Sequence, residues 1–547
     1  MSRMEQEFYP RDQWRLFICN RAIGRIRRSK ELCGKNNGGK KMEEQKKKKL
    51  NVDFAILIPC MAILIILCVC LIVKFDESQT IINNLLSFIE YKLGWLYIIV
   101  MLISTGFSLW LCFGKCAKLR MCAPGEKTPY SLFSWFSMLF FTTMASSIMV
   151  MPFINVMDFI SEPIFGIEAM SAEAFEWSSV GSVFIYGPHG YSFYAIFAVG
   201  VAFVVHYKKS DKFKVSEACI PVIGEKQANG IVGKIIDILV LFGVIGGVCT
   251  SFGLAVPVVV NGICSIFNIQ ESFALTVGVL IAWTVVFGTS VVLGLEKGIR
   301  RLSNINAVLV FVFVILIILF GPTLFIIKYV INSLGLTLDN YVRLMFWTDP
   351  IETTGYVEGT NVFFYAWFIG FATTVGTFLG KISKGRSVRE IVVGTTLAIS
   401  ACCWIIIPVF GGFSVWLQDQ GIIDIPSLLE EYGQNATIIQ IVGNVPIIGP
   451  IMVILHTVLL FTFIATTLDS TAFNLASMTS KKLAGDEEPA LPMKFMWVII
   501  ILTVTAILQA IGGLSAVQVT TVVASLPMII VLGIMIVSTK RMLKTVK

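Results

Sequence analysis

The amino-acid sequence predicts an all-α integral membrane protein, and three observations carry that prediction. Only 14% of its 547 residues are charged against 56% hydrophobic, and mean hydropathy is +0.80. A soluble domain carries roughly 25% charged residues because its surface must stay wet. An ordinary soluble enzyme, a disordered chain and a disulfide-stapled secreted module are therefore excluded. Second, twelve stretches are apolar over about the 20 residues that a spanning helix needs. Third, Lys and Arg alternate between successive loops, as the orientation of a polytopic chain requires.

The twelve stretches run at approximately 54–73, 92–113, 131–160, 190–207, 231–264, 274–294, 304–329, 361–383, 388–418, 448–478, 495–513 and 517–538. The first, Phe54–Val73, holds no charge and lacks a small-x-small cleavage site before Lys74, so it reads as an anchor and not a removable signal peptide. Several are longer than a bilayer requires, which implies tilt or a bent path. Of the Lys and Arg beyond residue 45, 28 fall in one set of alternate loops and only 4 (Lys74, Lys92, Lys328 and Arg343) in the other. Basic loops stay inside. Both termini are thus expected in the cytoplasm, with the protein in the cell membrane.

Residues 1–41 hold 11 Lys or Arg and 4 acids, so this short stretch supplies +7 of the net charge of +8. It contains no apolar span, and a nucleic-acid partner is not implied by it. The expected organisation is a basic cytoplasmic extension over 1–52, a membrane domain over 53–540 and a cytoplasmic tail over 541–547. The 13 Cys show no Cys-x-x-Cys repeat with His partners, and the 3 His (His189, His206, His456) are far apart in sequence. Structural zinc and disulfide scaffolding are not expected; the cysteines read as small core hydrophobes.

Between the spans, residues 418–444 carry Asp419, Asp424, Glu430 and Glu431 with no basic residue, as an external loop can. Ile331–Glu352 mixes apolar and polar residues at helical spacing and reads as an amphipathic helix on the outer surface. No loop is long enough to fold as a soluble domain, so the chemistry lies at membrane depth.

Backbone without helical bonding is tolerated at that depth only where protein lines a cavity. In the third span Thr142-Thr143-Met144-Ala145-Ser146-Ser147 is small or hydroxylic except at Met144, and Pro152, Asn155 and Asp158 follow. Two readings stand open here: a close helix–helix contact, or a weakened helix whose carbonyls face a ligand. In span eight Phe364, Trp367, Phe368 and Phe371 fall on one helical stripe. It is either packing and lipid contact or the wall of a pocket for an organic cation, which aromatic faces attract by roughly 0.5–2 kcal/mol each. Tyr191, Phe193, Tyr194 and Phe197, just after His189, carry the same ambiguity. In span ten Thr466 and Thr467 precede Asp469. Paired hydroxyls often bond back to preceding carbonyls, but they also suit a sodium ion, and an intramembrane acid is a functional candidate by default.

These residues and their loops resemble the betaine/carnitine/choline transporter family, from Asp53 to about residue 540. Ser134-Trp135-Phe136-Ser137-Met138-Leu139-Phe140 looks like that family's S-W-x-A-M-L-F. Gly233-Lys-Ile-Ile-Asp237-Ile-Leu, then Gly247-Val-Cys-Thr250-Ser251-Phe-Gly253-Leu, are similar to its G-K-x-I-D-I-L and G-x-A-T-S-L-G-L. Phe346-Trp347-Thr348 belongs to its outer amphipathic helix, and Ile382-Ser-Lys-Gly-Arg386-Ser-Val-Arg389-Glu390 looks like its I-S-R-G-R-T-I-R-E loop.

The resemblance implies two inverted five-helix repeats, spans 3–7 and 8–12, preceded by two extra helices. The first helix of each repeat would be broken or bent, at the small-residue run of span three and in the Gly370- and Gly376-containing span eight. It places the family's aromatic box on His189, Tyr194, Phe197 and Phe368, with Trp367 and Phe371 beside it and Met144, Ala145 and Ser147 at the break. It places a sodium site on main chain near Phe141 and Met144, with Phe463, Thr466 and Thr467. Trimers are common in the family. The departures are specific: the glycine run G-M-G-I-G becomes Thr143-Met-Ala-Ser-Ser147, and Trp-Gly-x-x-Glu-Pro becomes Met151-Pro-Phe-Ile-Asn155-Val156. Lost indoles weaken a cation–π cage, and added hydroxyls make the cavity more polar.

The expected function is therefore secondary transport of a small ammonium-bearing solute (glycine betaine, carnitine, choline or similar), coupled to sodium. The alternatives are the same fold carrying an unmethylated amino acid such as glycine, or a sodium-independent exchanger. Three scattered His and no metal-ligand cluster argue against a membrane enzyme. No symmetry-repeated filter suggests a channel, and no Gly-x-x-x-x-Gly-Lys-Ser/Thr loop suggests ATP-driven transport.

Overall fold

A computed structural model describes residues 51–546 apart from positions 74, 124–125, 145, 211, 294–297, 352–353 and 484–486; of the expected basic extension over 1–52, positions 1–50 lie outside the described residues. Every regular element among the described residues is helical. In chain order the main ones are α1 (Phe54–Val73), α2 (Phe75–Phe113), α3 (Leu132–Met144), α4 (Ser147–Ser161), α5 (Ser192–Ala202) and α6 (Ile231–Phe267). Then come α7 (Phe273–Leu293), α8 (Ile299–Phe320), α9 (Thr323–Phe346), α10 (Phe363–Ile382), α11 (Ile399–Asp419), α12 (Ile425–Gly443), α13 (Gly449–Met478) and α14 (Leu491–Lys544).

Among the described residues, 8 helices are long and apolar enough to cross a membrane, or 9 with the bent pair α3–α4 taken as one span. Three shorter apolar helices, Phe54–Ile66, Ser192–Tyr207 and Phe273–Phe287, lie where the first, fourth and sixth apolar stretches were read. Spans eleven and twelve share the single helical stretch α14, which runs through the start of the expected tail to Lys544 and contains two candidate spans, Leu491–Leu508 and Thr521–Lys544.

Two boundaries differ from the sequence reading. The amphipathic helix begins at Thr323, because Gly321 and Pro322 end α8, and it stops at Phe346, leaving Trp347 in extended backbone. The acidic stretch read as a loop folds as α12, whose Pro426 sits in the first turn, and it is kinked at Gly433 with φ +73°. Only glycine adopts that backbone without cost.

The motifs quoted above turn out to be joints. Asp237 of α6 is buried and accepts from the backbone N–H of Ser216 at 3.0 Å and its hydroxyl at 2.7 Å, fixing the short helix Val215–Ala218. Trp135 of α3 donates through Nε1 to the Ser383 hydroxyl at 3.1 Å, and the Arg386 guanidinium lies over its ring at 4.9 Å. Arg386 also donates to the Tyr130 carbonyl at 3.1 Å, while Met121 N–H donates to the Arg386 carbonyl at 2.9 Å. The loop before α3 is thereby stitched to the loop after α10.

Glu126 pairs with Lys209 at 3.5 Å and Lys384 at 3.9 Å, so three of the basic loops meet at one end of the bundle. At that end too the start of α1 is clamped to the end of α13. Asp53 N–H donates to the Thr479 carbonyl at 2.8 Å, Lys481 N–H to the Asn51 carbonyl at 2.9 Å, and Asn51 Nδ2 to the Lys482 carbonyl at 3.3 Å. The Asp53 carboxylate binds Lys214 at 2.5 Å.

Candidate functional site

The small-residue run breaks the third span. Helices α3 and α4 meet at a bend of 50° between Met144 and Ser147; Ala145 lies outside the described residues. The hydroxyls around the break are spent in different ways. Thr143 donates back to the Leu139 carbonyl at 2.7 Å and Ser147 to the Met144 carbonyl at 3.1 Å. Ser146 donates across to the Ser251 carbonyl of α6 at 2.9 Å, so the run is both a break and a helix–helix contact.

Span eight is not broken in its middle. α10 is one continuous helix, and its irregularity is a π-helical turn, Val357–Val362, ahead of it. Its glycines serve approach rather than bending. A Cβ on Gly376 would stand 2.3 Å from Phe197 Cβ and 3.1 Å from the Tyr194 carbonyl, so α5 lies directly against α10 there. At Gly370 the nearest atom of this kind is the Gly243 carbonyl at 3.6 Å, an ordinary contact.

This close packing brings an aromatic cluster together beside the break. Around the Phe368 ring stand Tyr191 at 5.7 Å, Tyr194 at 6.0 Å, Tyr186 at 6.1 Å and Phe364 at 6.1 Å, all buried. Tyr191 donates to the Met144 sulfur at 3.0 Å, and Cys403 of α11 lies against that sulfur at 3.3 Å. Of the expected box, Tyr194 and Phe368 meet directly. Phe197 packs against Gly376 instead.

The span-eight stripe divides between two neighbours. Phe364 and Phe368 face the tyrosines, whereas Trp367 donates to the Gly247 carbonyl of α6 at 3.2 Å and Phe371 also packs on Gly247. His189 is held as a brace. Nδ1 bonds the Tyr341 hydroxyl at 2.7 Å, Nε2 the Tyr365 hydroxyl at 3.1 Å, and the ring stacks on Phe184 at 4.4 Å. Tyr186 and Cys403 were not singled out as site residues from sequence, whereas Phe364 stood in the span-eight stripe. Tyr191 was visible in the aromatic run after His189, but only the fold ranks it.

The residues expected to hold sodium lie on two touching helices. Phe141 of α3 and Phe463 of α13 meet edge to face at 4.8 Å. Thr466 and Thr467 are fully buried; Thr467 donates to the Phe463 carbonyl at 3.3 Å and Thr466 to the Thr462 carbonyl at 3.0 Å. Asn306 of α8, absent from the sequence reading, donates to the Thr466 hydroxyl at 3.2 Å. Each threonine therefore keeps oxygen lone pairs, but those of Thr466 are already partly engaged.

Residues 55–547 match the family model described as BCCT, betaine/carnitine/choline family transporter. The chain belongs to that family. This betaine/carnitine/choline family member is accordingly a transporter and not an enzyme. A solved structure of a Na+-coupled sialic acid symporter, in a substrate-bound outward-open state, is also similar, with a TM-score of 0.42 and 14% identity over 82% of this chain and 86% of that one.

Proposed function

We propose that the protein is a secondary active transporter that moves a small ammonium-bearing solute, such as glycine betaine, carnitine or choline, across the cell membrane by alternating access with sodium. The fold in this reading has twelve spans in two inverted repeats, with both termini cytoplasmic. The observation that carries the substrate class is the aromatic cluster of Tyr186, Tyr191, Tyr194, Phe364 and Phe368 beside the break between α3 and α4. Electron-rich ring faces, here tilted or edge to face around Phe368, attract an ammonium group that has no N–H to satisfy. Sodium coupling is supported by the two buried threonines on α13, the helix whose Phe463 meets Phe141 of the broken span.

A second reading has its own observation. Three of the four rings around Phe368 are tyrosines, and among the described residues the buried Tyr186 and Thr142 hydroxyls have no hydrogen-bond partner. A primary ammonium or a carboxylate could use them, which favours an unmethylated amino acid such as glycine. Uptake into proteoliposomes separates the cases. Betaine, carnitine or choline accumulating only under an inward sodium gradient is the expected result. Uptake of glycine alone selects the second reading, and full uptake without sodium selects an exchanger.

A further inference from the structure

Two cavities adjoin the far end of α4, and they share one carboxylate. The inner one, about 180 Å³, is lined by Asn155, Asp158, Tyr356, Phe363, Phe364 and Gln434 among others. The outer one, about 300 Å³, is lined by Met157, Asp158, Glu162, Pro426 and Leu429. Phe364 connects the inner cavity to the aromatic cluster, since its ring lies 6.1 Å from Phe368 and 5.7 Å from Tyr186. On the topology proposed above, this end of α4 faces outward. Asp158 lines both cavities, and the inner one reaches Phe364 at the edge of the cluster.

Nothing structural accounts for an acid there. No Lys, Arg or His pairs with Asp158 among the described residues, and its side chain is open to the cavities. It sits in the last turn of α4, where the helix dipole is negative and disfavours a carboxylate, and Glu162 adds a second negative charge one turn on. What destabilises two acids favours a cation between them. The inner wall mixes the rings of Tyr356, Phe363 and Phe364 with polar side chains such as Asn155, Ser178, Ser182 and Gln434, and a cleft whose formal charges are of one sign concentrates oppositely charged solutes.

We propose that Asp158 is an outer recognition residue that selects solutes by net charge, holding the ammonium of a cationic substrate before it reaches the rings around Phe368. The proposal rests on the ammonium-solute reading above. It adds a preference: a solute of net charge +1, such as choline, gains from the carboxylate, whereas a zwitterion such as betaine brings its own carboxylate and gains little. The aromatic cluster alone makes no such distinction, because both carry the same trimethylammonium head.

The test is initial uptake of choline and of betaine in proteoliposomes at fixed sodium, with wild type, Asp158→Asn and Asp158→Glu. Asp158→Asn should raise the choline KM about five-fold or more, with the betaine KM moving less than two-fold and maximal rates nearly unchanged. Asp158→Glu should restore most of the choline KM, which a merely structural residue would not predict. Choline uptake at low concentration should also fall with ionic strength more steeply in wild type than in Asp158→Asn. Equal effects on the two solutes, no effect on either, or a shift only in the sodium concentration for half-maximal uptake would overturn the role of Asp158 while leaving the transport reading intact. Transport of neither solute by wild type would overturn both.

Discussion

Replacing Gly376 with alanine tests the packing that assembles the aromatic cluster. The new Cβ would lie 2.3 Å from Phe197 Cβ, 3.1 Å from the Ala198 nitrogen and 3.1 Å from the Tyr194 carbonyl. Carbon atoms in contact need about 3.5–4.0 Å, so α5 and α10 must part by more than about 1 Å. Two of the three clashing atoms are backbone, and no side-chain rotation relieves them. Overpacking of this kind costs typically 1–3 kcal/mol, offset by roughly 0.5–1 kcal/mol of helix propensity gained over glycine. The same shift carries Tyr194 away from Phe368, so affinity should fall together with stability. Thermal stability of detergent-purified protein, with substrate affinity measured on the same sample, reads both. Gly370→Ala is the matched control, since its Cβ meets only the Gly243 carbonyl at an ordinary 3.6 Å; it should be neutral or mildly stabilising. If Gly376→Ala were as stable and as tight-binding as Gly370→Ala, the idea that close approach of α5 and α10 builds the cluster would be wrong.

Thr467→Ala should raise the sodium concentration for half-maximal uptake with little change in substrate affinity at saturating sodium, while Thr466→Ala should also lose up to about 1 kcal/mol of stability because it removes one of the two acceptors of Asn306, leaving only the Thr462 carbonyl; uptake that ignores sodium altogether refutes the ion assignment. Phe368→Leu keeps apolar bulk and removes the ring, so betaine binding by calorimetry should weaken roughly 2- to 30-fold for a loss of 0.5–2 kcal/mol, and unchanged affinity would argue for simple packing. Single cysteines at Lys209, Lys384 and Lys544 in a cysteine-free background should resist an impermeant thiol reagent added outside intact cells; labelling at any of the three contradicts cytoplasmic placement of those loops.

How much of this was legible in the sequence depended on whether the determinant is local. The run around Met144–Ser147 was visible because small and hydroxylic residues weaken a helix where they stand, but it fitted a close helix contact as well, and the break itself was implied by the family resemblance. Asp237, Trp135 and Arg386 were recognisable as motif members, although their partners, Ser216, Ser383 and Tyr130, are supplied by chain folding and appear in no spacing rule. The stripe Phe364, Trp367, Phe368 and Phe371 shows the limit. A helical stripe spans roughly 100° of arc, wide enough to face two neighbours, and α6 takes Trp367 and Phe371 while the tyrosines take Phe364 and Phe368. The glycines of α10 misled in a similar way: loss of a side chain permits either a bend or a close neighbour, and only the position of Phe197 decides between them. α12 was hidden because its acids masked a helical stretch begun by a proline in its first turn.

The clamp between Asn51 and Lys482 joins residues separated by 431 positions. A ribosome adding about 5–20 residues per second needs roughly 20–90 s to cover that interval. For that time α1 is in the membrane with its anchoring partners, the Thr479 and Lys482 carbonyls, still unmade. Its other partners come sooner, since Asp53 pairs with Lys214 and α1 packs on α6, so α1 is fastened in two stages and the backbone clamp is the later one. Truncation before residue 479 therefore removes only the second stage: α1 keeps Lys214 and its packing on α6, and loses the backbone clamp to the end of α13.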